Sequence, residues 1–172
     1  PHEVDLATSP IVGCFAVTDE ERQNAVELFV ARKLPHDRYG VATFLLDTWC
    51  LGLMDAFFEV DGAEDFEDWR DTIPEDQAIE PERARKLLDE VSAFGAANGF
   101  PPPPEFAAVI RLLSDVTPAE ESVPVGDNGR PHFLVSEYDS AETVEEIVET
   151  LTQALGPGGF DVTYPLEDDA AE

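Results

Sequence analysis

Asp47, Cys50 and Asp55 interrupt Tyr39–Val60, the densest apolar run in a heavily acidic chain. A thiol in a cleft becomes a nucleophile when a nearby histidine takes its proton, and His132 or His36 would be that base. A small enzyme on these lines has its site at the end of a central strand, around Asp47, Cys50, Asp55 and His132. The chemistry of the setting argues against it. A cysteine stays inert unless an electropositive neighbour lowers its pKa, and apolar, acidic surroundings raise it instead. Asp47 or Thr48 also suits a helix N-cap, a commoner task for an aspartate than acid catalysis. The expectation is that no catalytic residue lies here.

Metal chemistry finds no better support. His2, His36 and His132 share no helical or loop spacing, and no paired-cysteine motif accompanies them. Asp61-Gly-Ala-Glu-Asp-Phe-Glu-Asp68 is rich in oxygen ligands but lacks the alternation of a calcium loop. No phosphate-binding loop, dinucleotide fingerprint or nucleophile elbow is present. Neither a cofactor nor a resident metal is expected. Cys14 and Cys50 both sit in apolar runs and read as buried free thiols.

The elements that would position these residues follow from periodicity. Pro10–Val17 and Ala25–Lys33 read as strands, and Pro35–Gly40 as a turn into a third, Val41–Leu46. Such short polar turns favour an antiparallel meander, because a parallel crossover needs a dozen residues or more. Past Asp47, Trp49, Leu53 and Phe57 share a helical face, so a short buried helix capped by Asp47 or Thr48 is expected. A second short helix spans 64–70, with Phe66, Trp69 and Ile73 turned inward.

Three longer helices follow. Pro81 opens one whose stripe is Ala84, Leu87, Leu88, Val91 and Phe94, closed by Asn98-Gly99. Phe106, Val109, Ile110 and Leu113 mark a helix beginning near Pro104. Asp139-Ser-Ala-Glu142 has capping-box spacing ahead of Val144, Ile147, Val148, Leu151 and Leu155, and Gly156 stops that helix. Asn128-Gly129 reads as the turn of a hairpin within 123–135, and Phe160–Tyr164 as an edge strand. The expected fold is α+β: an antiparallel meander of three to five strands with helices mainly on one face. One domain over 1–164 and a frayed acidic tail over 165–172 are expected.

Phe44-Leu-Leu-Asp-Thr-Trp-Cys-Leu-Gly-Leu-Met-Asp-Ala-Phe57 resembles the core signature of an uncharacterised family of bacterial proteins, F-L-[VL]-D-x-[WY]-C-L-G-x-x-D-A-F. Gly126-Asp-Asn-Gly-Arg-Pro-His-Phe133 is similar to a second block of that family. The resemblance covers about residues 10–150 and implies a shared fold, with no activity to carry over. The family has Lys where this chain has Met54, so a cation's role there is not transferred.

Charge bears most directly on function. There are 38 acids against 10 bases, a net charge of −28, and all but −4 of it falls after residue 50. That field repels nucleic acid and anionic membranes, whose binding requires cations to neutralise phosphates. No apolar stretch reaches the roughly 20 residues a membrane span needs. The first residues show no signal-peptide pattern, and the cytoplasm is the expected compartment. The chain therefore reads as a soluble, acidic, non-enzymatic protein. Its surface is either adapted to high salt or built for a basic partner, including imitation of a nucleic acid's charge. The expected acidic face combines Glu64, Asp65, Glu67, Asp68 and Asp71 with Glu142, Glu145, Glu146 and Glu149, if their two helices lie side by side.

Overall fold

The computed structural model describes residues 8–165; His2 and residues 166–172 of the expected tail lie outside them. Strands β1 (Ile11–Thr18), β2 (Ala25–Leu34) and β3 (Arg38–Asp47) form the expected antiparallel meander. β2 is a strand because its apolar residues serve a sheet rather than a helix. Val26, Leu28 and Val30 pair with Leu46, Phe44 and Ala42 and share one face, whereas Glu27, Phe29 and Ala31 take the other.

The helix expected after Asp47 is replaced by a turn and a fourth strand, β4 (Gly52–Gly62), antiparallel to β3. Asp47 does accept backbone N–H groups, as a cap would, from Trp49 and Leu51 at 3.0 Å each. Gly52, at φ +73°, then turns the chain back instead of letting it coil onward. Gly95 packs against this turn so closely that a Cβ on it would lie 2.6 Å from the Gly52 Cα. A bulge at Met54, between the Leu45–Asp55 and Leu46–Leu53 pairs, separates this start from a regular alternation. Ala56, Phe58 and Val60 then fall on one face, and Asp55, Phe57, Glu59 and Asp61 on the other.

Helix α1 (Ala63–Asp71) follows as expected. The two-residue strand β5 (Ala78–Ile79) pairs with β1, giving the sheet order β4-β3-β2-β1-β5. Helix α2 (Pro81–Ala97) begins at its proline and ends at Asn98, with Gly99 at φ +102°. The helix expected near Pro104 is fragmentary. Only Ala107–Ile110 is α-helical (α3), between 3₁₀ turns at Pro104–Phe106 and Arg111–Leu113.

The expected hairpin is corrected. Asn128 and Gly129 form a tight turn with both φ positive, closed by Asp127 and Arg130. However, strand β6 (His132–Leu134) pairs in parallel with β7 (Asp161–Thr163), and helix α4 (Ala141–Leu155) makes the crossover. Residues 123–125 form no strand, and Gly126 instead donates to Thr48 O. Ser140 rather than Asp139 caps α4, its Oγ accepting from Thr143 N at 3.1 Å, while Asp139 accepts from Ser136 N.

The main core lies on one side of the five-stranded sheet. Leu28, Val30, Ala42, Phe44 and Leu46 meet Ala84, Leu88 and Val91 of α2 and Leu112 and Leu113 beyond α3. Arg32 continues the same row, fully buried, and donates to Ser9 O, Leu112 O and Asp115 Oδ1. On the opposite side lies α1, whose Phe66 packs on Ala31 and Val41. A separate cluster under α4 encloses Cys50 with Phe133, Val144 and Leu151.

Candidate functional site

The residues of the catalytic alternative occupy different settings. Asp47 is almost wholly buried, and besides the Trp49 and Leu51 amides it accepts from Asn24 Nδ2 at 3.0 Å. Burial raises its pKa in spite of these bonds. Cys50 is fully buried, and burial, reinforced by Asp47, pushes its thiol up to about 12. Cys14, beneath α2, is pushed up to about 12 by burial as well. Asp55 lies exposed on the face of β4 that α2 does not cover, its Oδ1 accepting from Ala56 N. Among the described residues, no side chain of Asp47, Cys50, Asp55 or His132 is hydrogen-bonded to another of the four.

His132 belongs to a constellation that the sequence reading passed over. Its Nδ1 lies 3.0 Å from Asp127 Oδ2, its Nε2 lies 2.7 Å from Thr163 Oγ1, and its ring stacks on Trp49 at 5.3 Å. In this order a carboxylate orients an imidazole, which can act as base toward the hydroxyl. Here the imidazole joins the 127–130 turn, β6, β7 and the Asp47 turn, with both nitrogens and one ring face occupied. The turn signal around Asn128-Gly129 marked Asp127 and His132, but only the parallel pairing with β7 brings Thr163 to them.

The nine acids expected to form one face are all exposed. Glu64, Asp65, Glu67, Asp68 and Asp71 ride on α1, which leaves the Gly62 end of β4. Glu142, Glu145, Glu146 and Glu149 ride on α4, which covers Cys50 at the turn before the opposite end. The 11 residues of β4 separate those ends by about 33 Å. The two groups of acids therefore ride on helices that adjoin opposite ends of β4.

A different site emerges on the uncovered side of the sheet. Where α1 stops, a groove of about 370 Å³ lies open along β3. Val41, Thr43 and Leu45 form its floor. Thr43 is 5 % exposed and lies at the bottom of the groove, and its hydroxyl makes no hydrogen bond among the described residues. Phe29, Phe57 and Trp69 are the aromatic walls. Trp69 is fixed edge-on against Phe29 at 5.2 Å and Phe15 at 6.2 Å, so this wall is ordered in advance. Glu27 stands on one rim and Glu59 and Asp61 on the other, and no lining residue is basic. Past Leu45 the groove continues into a second depression that ends at Arg22 and Met54.

Aromatic walls with carboxylate rims and no base suit a cation that also carries apolar surface. The ring faces attract the charge, the carboxylates pair with it, and the threonine hydroxyl offers a polar contact beneath. Among the described residues, no group of three or more His, Cys, Asp or Glu side chains is placed to hold a metal ion. No described helix is long and apolar enough to cross a membrane. Comparison of the chain with protein-family models, curated proteins and solved structures finds no match.

Proposed function

We propose that the protein acts by binding, and that the open face of the sheet receives arginine or lysine side chains of a basic partner. The groove between Trp69, Phe29 and Phe57, bordered by Glu27, Glu59 and Asp61, carries this reading. Arginine is the better guest, because its planar guanidinium stacks on aromatic rings and forks onto carboxylates. The engaged state of Asp47 and the burial of Cys50 support binding over catalysis.

The test is titration of a labelled octa-arginine peptide into the protein at 20 mM and 1 M KCl. Binding at low salt is expected, and it weakens as salt screens the rim. A triple substitution, Glu27→Gln, Glu59→Gln and Asp61→Asn, is expected to weaken it by roughly tenfold or more, on the scale of three partly exposed ion pairs. Equal binding by wild type and the triple variant would refute the reading.

A second reading, adaptation to high salt, concerns the rest of the surface. Its support is the dispersal of the α1 and α4 acids to opposite ends of β4. A coat of this kind repels itself in dilute buffer, and counterions relieve the repulsion. Stability that rises into molar KCl would support this second reading.

A further inference from the structure

We infer that the basic partner joins the sheet itself, an extended segment adding as a further strand along β4, beside the groove. This rests on the proposed binding at the open face and specifies its geometry. Among the described residues, β4 is the outer strand of the sheet, with β3 on one side and no strand on the other. It runs for 11 residues, about twice the ordinary strand length. An edge of that length is a template for another chain unless it is blunted or covered. The opposite edge, β5, has only two residues.

Three of the chain's exposed large hydrophobic residues lie on β4: Met54 at 54 %, Phe57 at 39 % and Val60 at 46 %. The outer row of backbone groups can be located as well. Ala56 N–H is bonded to the side chain of Asp55 at 2.9 Å and so points off the β3 ladder. In an antiparallel pair the residues alternate, so Phe58 and Val60 present their N–H and C=O groups on the same outer edge. Among the described residues, Ala56, Phe58 and Val60 make no backbone–backbone hydrogen bond on that outer edge.

Charge selects the occupant. A second copy would bring Asp55, Glu59 and Asp61 against their own like, on chains that each carry −28. A basic segment meets the opposite situation. Its side chains on the open face would lie beside Asp55, Glu59 and Asp61 and reach the groove, and those on the other face would lie beside Phe58 and Val60. The recognised pattern is therefore an alternation of basic and apolar residues in an extended strand, about six to eight residues long.

The test uses a blocked octapeptide of alternating lysine and valine, together with two versions N-methylated at all lysines or at all valines. In an added strand, one alternate set of amides faces β4 and the other faces solvent. One methylated peptide is expected to lose at least about tenfold in affinity while the other binds like the parent. Hydrogen exchange at Ala56, Phe58 and Val60 is expected to slow in the parent complex. Val60→Pro, which removes an outward N–H from an edge strand that tolerates proline, is expected to weaken the parent peptide but not octa-arginine. If both methylated peptides bind like the parent, or both lose equally, strand addition is overturned while the groove reading stands. Octa-arginine binding with none by the lysine–valine peptide has the same meaning. Failure of both peptides overturns both.

Discussion

The two faces of one sheet are finished in opposite ways. On the α2 side, Leu28, Phe44 and Leu46 are closed under a 17-residue helix, and even the one charged residue in the row, Arg32, is buried with its terminal nitrogens turned to carbonyls and Asp115. On the α1 side, a nine-residue helix covers Ala31 and Val41, and the sheet beyond it carries an open groove with Thr43 and Leu45 in its floor and Phe57 in its wall. Neighbouring residues of the same strand thus serve different ends. Phe44 holds the fold, whereas Thr43 and its partner Phe57 line a surface that remains available. Stability and the proposed recognition are separated by the period-two alternation of the strand.

Matched substitutions would break this contrast if it is false. Phe44→Ala is expected to cost about 3–5 kcal/mol, because a fully buried ring leaves a cavity. Phe57→Ala, on the open face, is expected to cost about 1 kcal/mol or less and to weaken octa-arginine binding. Urea denaturation of the two variants measures the difference, and similar losses would end the comparison. Arg32→Met is expected to lose about 2–3 kcal/mol, since the carbonyls of Ser9 and Leu112 lose their donor. Glu59→Gln, its open-face counterpart, is expected to change stability by less than about 0.5 kcal/mol.

Two further predictions sharpen the picture of the Asp47 turn. Burial holds the Asp47 carboxyl above its ordinary 3.8, so the folded state binds a proton that the unfolded chain releases. Its contribution is present below 3.8 and is lost as pH climbs through the raised value. Denaturation across that range should show stability falling with pH in the wild type and falling less in Asp47→Asn. Both thiols, raised to about 12 by burial, are expected to resist a thiol reagent at pH 8 until urea unfolds the chain. Rapid labelling of Cys50 in the folded protein would reopen the enzymatic alternative.

Much of the covered side was legible in the sequence, because the α2 stripe reports a helical period, β2 alternates, and β3 is an apolar run set off by a polar turn. Asp47 was read correctly as a residue that satisfies backbone amides. A cap of this kind opens a helix or a tight turn equally well, and Trp49, Leu53 and Phe57 fit a helical face by coincidence. The deciding feature is the close approach of Gly52 to Gly95, a tertiary contact. The polar–apolar alternation from Asp55 to Asp61 carried the strand signal, but the bulge at Met54 put it out of phase with Leu53. The groove left no local mark. Glu27 and Phe29 come from β2, Glu59 and Asp61 from β4 and Trp69 from α1, and only the sheet register unites them. Likewise Thr163 meets His132 only through a parallel pairing across α4.

The most direct measurement is a map of amide and aromatic chemical shifts as octa-arginine is added to the isotopically labelled protein in dilute buffer. Perturbations concentrated at Thr43, Phe57, Glu59 and the Trp69 indole are expected, with the acids of α4 little affected. Shifts spread evenly over Glu64–Asp71 and Glu142–Glu149, with the groove silent, would mean that the carboxylates act only as a diffuse coat and that the open face of the sheet receives nothing.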